Sequence, residues 1–88
     1  MRVILDGKII DSKETLHSRI SEKFSFPEYY GNNLDALYDC LTDIKEDTEF
    51  ILINFQSLKD SLGKYADQLE RVLDDAQDEN SHLKISAE

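Results

Sequence analysis

FILINF, residues 50–55, is an apolar run of strand length in which only Asn54 is polar. A strand with one wet face would alternate apolar and polar residues. An unbroken run instead marks a strand buried on both faces, the pattern of a central strand in a parallel sheet. What flanks it agrees. On the amino-terminal side, Leu34, Leu37 and Leu41 recur at i, i+3, i+7, and Leu16, Ile20 and Phe24 at i, i+4, i+8, which predicts two amphipathic helices. Before them, RVIL (2–5) reads as a short buried strand ended by the turn Asp6-Gly7. On the carboxy-terminal side a helical turn at 57–62 stops at Gly63. A helix over 65–77 follows, carrying Ala66, Leu69, Leu73 and Ala76, with Val72 beside them. Leu83, Ile85 and Ala87 then alternate with polar neighbours as a half-buried strand. The order is β-α-α-β-α-α-β. Helices between strands favour parallel pairing, so the fold class is α/β.

Two boundaries carry local signals. The first helix starts at Asp11 or Ser12, and Asp11 with Glu14 three residues on fits a capping box. Ser25-Phe26-Pro27 ends that helix, because the residue before a proline avoids helical dihedrals.

Eighty-eight residues support one domain with one core. The single cysteine, Cys40, cannot form an intramolecular disulfide, and the apolar start Met1–Leu5 is too short for an export or membrane segment. Both point to a reducing, cytoplasmic setting. The net charge is −9, which argues against binding nucleic acid or an anionic membrane and suits a basic partner. Residues 28–49 hold seven acids against one base, a net of −6 in a quarter of the chain. That is the distribution of a steering surface, or of a solvated face that prevents aggregation.

The acidic concentration centres on PEYYGNNLDALYDCLTD, residues 27–43. Residues 27–33 read as a loop in which Gly31 supplies a left-handed conformation or close approach, and Asn32 or Asn33 caps the following helix. Asp35, Asp39 and Asp43 fall on one face of that helix, opposite the leucines. Like charges at this spacing cost a helix a few tenths of a kcal/mol per pair. Asp35 regains some of this near the positive helix end, but Asp43 lies near the negative end. Folding alone would not select the row. Tyr38 borders it, and Tyr29 and Tyr30 sit in the loop before it, Tyr29 as contact surface and Tyr30 as a packing residue. Tyrosine beside fixed carboxylates is the composition of an interface. Asp43 reads as a solvated acid and Cys40 as a small apolar filler, its thiol dulled by acidic neighbours.

Catalysis fits poorly. A convex helix face offers no cleft to shift a carboxylate pair, His17 and His82 have no partner pattern, and no Gly-rich phosphate loop or catalytic serine motif occurs. Neither zinc spacing nor a calcium loop is present, so neither metal nor cofactor is expected.

PEYYGNNLDALYDCLT (27–42), together with Leu16-His17 and the Leu73–Ala76 region, resembles the barstar family, intracellular inhibitors of secreted barnase-type ribonucleases. The resemblance implies a single domain, residues 1–88, with a three-stranded parallel sheet and about four helices. It implies no enzyme activity and a monomer when free. The acidic helix and its loop would plug a basic ribonuclease active site. Tyr29, Gly31, Asn33, Leu34, Asp35, Ala36, Tyr38, Asp39 and Thr42 would make the contacts, with Asp75 of the last helix at the rim. Asp39 would be the phosphate mimic and central anchor. The chain departs from the family at Tyr38 and Ile44, where the family carries tryptophan, and at Asp75, where it carries glutamate. These changes leave open a different guanyl-specific ribonuclease, or another basic toxin, as the partner.

Overall fold

The computed structural model describes residues 1–88. Strand β1 (Arg2–Asp6) leads through a 3₁₀ turn (Gly7–Ile9) to α1 (Lys13–Phe24) and α2 (Leu34–Thr42). Strand β2 (Thr48–Ile53) follows, then α3 (Phe55–Leu62), α4 (Lys64–Glu79) and β3 (Leu83–Ala87). The sheet order is β1-β2-β3 and both pairings are parallel, with Ile4 opposite Ile51 and Phe50 opposite Ile85. The expected three-stranded parallel sheet with four helices is present, and the apolar run at 50–53 is its central strand.

The run is not all strand. β2 begins at Thr48, and Asn54 turns into the left-handed region (φ 55°) so that Phe55 opens α3. Nor is the sheet covered twice. Phe50 and Leu52 join Val3, Leu5 and Leu83 in one core with Leu16, Ile20, Leu37, Leu41, Leu58, Leu69 and Leu73. Ile51 points the other way. It is buried because its strand is central, whereas Ile4 beside it on the edge strand is 44% exposed. Eighty-eight residues give enough helix to cover one face, so β1 alternates exposed and buried and is not the fully buried strand expected.

Local chemistry sets the ends. Ser12, not Asp11, caps α1: its hydroxyl accepts from the Thr15 amide at 3.1 Å, while Thr15 Oγ1 donates to Asp11. Thr15 stands three residues after the cap, where the capping box would place Glu14, but its side chain bonds the Ser12 hydroxyl and the Asp11 carboxylate and not the cap amide. α1 ends in a left-handed Ser25 (φ 56°), with the Phe26 amide donating to the Ser21 carbonyl and the Ser25 amide to the Glu22 carbonyl. This is a Schellman closure, so Pro27 is not what stops the helix. Asp6 accepts from the Lys8 amide and from Asn54 Nδ2 at 2.8 Å, tying β1 to the start of α3. The Asn54 bond, then the Lys8 amide, hold its carboxyl below the usual range. Gly7 packs on this junction, where an added Cβ would overlap the Asn54 carbonyl oxygen.

Candidate functional site: the loop 27–33 and the outer face of α2

α2 is fastened from three sides. Leu37 and Leu41 are fully buried, and Leu34, Ala36, Tyr38, Cys40 and Ile44 pack around them half-buried. At the amino end Asn33 is the cap, its Oδ1 accepting from the Ala36 amide at 2.8 Å and its Nδ2 donating to the Gly31 carbonyl at 3.1 Å. At the carboxy end Asn80 Nδ2 reaches from the end of α4 to donate to the carbonyls of Leu41 and Ile44, both at 2.9 Å. Asn80 is 6% exposed, and its own Oδ1 accepts from the His82 amide. Helix α2 has no basic residue in its last turn, so Asn80 does for these carbonyls what a lysine or arginine would do elsewhere.

The loop is held as firmly. The Tyr30 amide donates to the Pro27 carbonyl at 3.0 Å. The Tyr30 ring turns inward, and its hydroxyl meets His17 Nδ1 at 2.7 Å. His17 Nε2 meets the hydroxyl of Tyr65 on α4, also at 2.7 Å. One histidine thus links α1, the loop and α4 through two tyrosines. Burial lowers its pKa, against a smaller upward pull from Glu14. Burial also pushes the Tyr30 hydroxyl far above its ordinary value, with Cys40 and Tyr65 adding to it. With Tyr30 inside, its neighbour Tyr29 projects outward, 88% exposed.

Gly31 is not in the left-handed region; Asn32 takes that conformation (φ 53°) instead. What limits Gly31 is space, since an added Cβ would lie 3.1 Å from Asn33 Nδ2 and 3.4 Å from the Ala36 Cβ.

On this frame Asp35, Asp39 and Asp43 stand exposed along one face. None of the chain's salt bridges involves them: those join Arg2 to Glu49, Lys59 to Asp67 and His82 to Asp47. Asp75 is exposed on α4. Tyr38 lies between the two helices: desolvation first, then Glu79, Asp75 and Asp39, push its hydroxyl up. Asp75 therefore belongs to the same negative field as the α2 row, and Glu79 joins it. Thr42 spends its hydroxyl on its own helix, donating to the Tyr38 and Asp39 carbonyls at 2.9 and 3.1 Å. Of the ten residues singled out from sequence, Tyr29, Gly31, Asn33, Asp35, Asp39 and Asp75 are exposed, and Leu34, Ala36, Tyr38 and Thr42 half-buried.

The convex surface expected from sequence is broken by a recess of ≈ 470 Å³ alongside the row. His17 and His82 do have partners, His82 pairing with Asp47 at 3.0 Å. No group of three or more His, Cys, Asp or Glu side chains is arranged to hold a metal ion, and no helix is long and apolar enough to cross a membrane.

Residues 1–87 match the profile of the family described as "Barstar (barnase inhibitor)". The chain belongs to the barstar family. A curated relative, "Putative ribonuclease inhibitor YrdF" of Bacillus subtilis (strain 168), is 42% identical over 79 residues, which span 89% of this chain and 87% of that protein. The match runs through the sheet and all four helices, so membership rests on the whole fold as well as on the acidic segment. The supports just described divide by how visible they are in the sequence. His17 sits among Leu16, Ile20 and Phe24 on the buried face of α1, a polar side chain on an apolar stripe, and that was the available signal. Asn80 left none, because its partners lie 36 and 39 residues away.

Proposed function

We propose that this barstar-family chain is a ribonuclease inhibitor that acts by occlusion and not by catalysis. In this reading α2 and the loop 27–33 enter the active site of a basic, barnase-type ribonuclease, and Asp39 stands where a substrate phosphate would lie. One observation carries it: the carboxylates of the row are exposed, unpaired and mounted on a helix fixed at both ends. An unpaired carboxylate meeting arginine, lysine or a protonated histidine forms short charge-assisted hydrogen bonds. A preorganised helix loses little conformational freedom when it does so. Tyr29 is a large, rigid apolar surface beside the charges. The net charge of −9 steers a cationic partner toward this face. Asp35, Asn33, Gly31, Leu34, Ala36, Tyr38 and Thr42 complete the contact, and Asp75 meets a basic rim residue. The inhibitor works as a monomer in the cytoplasm of the cell that makes the ribonuclease.

The test is an inhibition titration against a barnase-type ribonuclease, with wild type and Asp39→Ala in parallel. Stoichiometric inhibition is expected from wild type. The variant should be weaker by about 30-fold or more, the scale of a binding hot spot. Absence of inhibition by wild type would refute the barnase-type assignment. A basic toxin of another class would then be sought by retrieving the partner with the wild-type chain as bait.

A further inference from the structure

The recess of ≈ 470 Å³ beside the acidic row has a mixed lining that neither the fold nor the row explains. Its floor and walls are apolar, from Phe26, Cys40 and Ile44, all half-buried, with the exposed Tyr29 ring as one side. Its mouth carries Asp39, Asp43 and Glu46. Two cations oppose them: Lys45, and the amino-terminal ammonium of Met1, which donates to the Asp47 carbonyl at 2.8 Å. Asp39 and Asp43 are one helical turn apart and line the same opening.

We infer that this recess receives a single basic side chain, arginine or lysine, from the partner, with Asp43 as its specific ligand. The inference rests on the reading of the α2 face as the partner-facing surface and names what one part of that face takes. An apolar occupant would strip water from three carboxylates and return nothing, which is costly. A small anion would be repelled. A long cationic side chain satisfies both surfaces, because its methylene stem lies along Phe26 and Ile44 while its charged head remains among the carboxylates. The field at the floor has the required sign. Desolvation, then Asp43, then Asp39, raise the Cys40 thiol. A bare metal ion lacks the three-ligand arrangement it would need here. The inference also gives Asp43 a purpose at the end of α2, where the helix dipole disfavours an acid. It extends the contact surface past the ten residues read from sequence, to Asp43, Ile44 and Phe26.

The decisive experiment needs no ribonuclease. N-acetyl-argininamide is titrated into the full chain and followed by amide NMR, with N-acetyl-leucinamide as the neutral control. The arginine amide is expected to give saturable shifts confined to the recess, at Phe26 and residues 39–46, and the leucine amide none. Asp43→Asn should weaken this binding about threefold, within the range for losing one solvent-exposed ion pair. Asp35→Asn, which lies outside the recess, should leave it within about twofold. An equal response to the leucine amide would make the recess an apolar site and overturn the inference. So would shifts spread over the whole acidic surface and unaltered by Asp43→Asn, or a response that never saturates. Failure here leaves the inhibition titration untouched. Failure of inhibition with saturable arginine binding removes the ribonuclease reading and keeps the recess.

Discussion

Tyr30→Phe isolates the bond that holds the loop 27–33 to the core. The ring volume is kept and only the hydroxyl facing His17 Nδ1 is lost. His17 is 1% exposed, so water cannot readily replace it, and a buried ring nitrogen is left without a partner. That costs about 1–3 kcal/mol. For a domain of this size the melting temperature falls roughly 4–8 °C per kcal/mol, so the expected drop runs from about 4 to 24 °C. Tyr65→Phe removes the other hydroxyl, but Tyr65 is half-buried and its site admits water, so the loss should be under about 1 kcal/mol. The Lys13 ammonium, 4.6 Å above that ring, keeps its contact in the variant. The assay is thermal and urea unfolding of the three proteins at pH 8. Equal losses in the two variants, or a larger one in Tyr65→Phe, would refute the claim that His17 is a buried link between loop and core. The same link titrates. His17 has its pKa lowered from 6.5 in the folded state, chiefly by burial, so the unfolded chain binds its proton more readily. Its contribution to stability is full above that unfolded value and declines as pH falls below it toward the folded one. Tyr30, Tyr65, Glu14 and Lys13 are the titratable groups around it, and burial pushes both tyrosine hydroxyls up, away from this window. His17→Gln should flatten the stability profile as pH falls below the unfolded value of 6.5, and a slope unchanged in that variant would assign the effect elsewhere.

Three further outcomes are expected. Gly7→Ala places a Cβ against the Asn54 carbonyl and should cost about 3 kcal/mol in urea unfolding, with no change expected in the α2 surface by NMR. Asn80→Ala orphans the Ile44 carbonyl and leaves the Leu41 carbonyl only the Ile44 amide at 3.4 Å, which should cost about 1–3 kcal/mol; hydrogen exchange at the carboxy end of α2 should rise further than the global loss accounts for. Asp39→Asn relieves repulsion from Asp35 and Asp43, so thermal stability should hold or rise by a few tenths of a kcal/mol while partner binding weakens; a clear loss of stability would make Asp39 structural.

The sheet and its helices were legible because each is written in local periodicity: the run at 50–53, the leucines of α2, the alternation at 83–87. The ends were less so, because they depend on which of several neighbouring polar residues wins a backbone amide. Of Asp11 and Ser12 it is Ser12 that caps, and of the two readings of Gly31 the left-handed one belongs to Asn32 instead. The bare second face of the sheet was not visible, since apolar Ile51 and Ile4 read alike in sequence and differ only in whether a strand lies on both sides. The acidic row was legible as a violation of helix economy, three like charges where the fold needs none. Its supports were not, because Asn80, His17 and Tyr65 act across 36 to 48 residues of chain. The recess was missed for a related reason, as it forms only when Phe26, which precedes α2, and Ile44, which follows it, are brought to one opening.

The supports and the row form one arrangement. A helix carrying Asp35, Asp39 and Asp43 repels itself, and nothing on its exposed face offsets this, since no cation of the chain pairs with them. Its stability must come from the other side and from its ends. Leu37 and Leu41 supply burial, Asn33 supplies the first-turn acceptor, and Asn80 supplies the last-turn donor. None of these is a cation, and that matters. A lysine or arginine could close the carboxy end of α2 equally well by local rules, but it would pair with Asp39 or Asp43 and occupy the charge that the proposed partner would meet. A neutral amide reaching in from α4 closes the helix and leaves the carboxylates free. The His17 link obeys the same logic at the loop. It holds Tyr30 with a neutral ring at neutral pH, so the surface beside Tyr29 and Gly31 keeps its negative sign. The groups that hold the helix and its loop, Asn33, Asn80 and His17, are polar and bring no positive charge to the row at neutral pH.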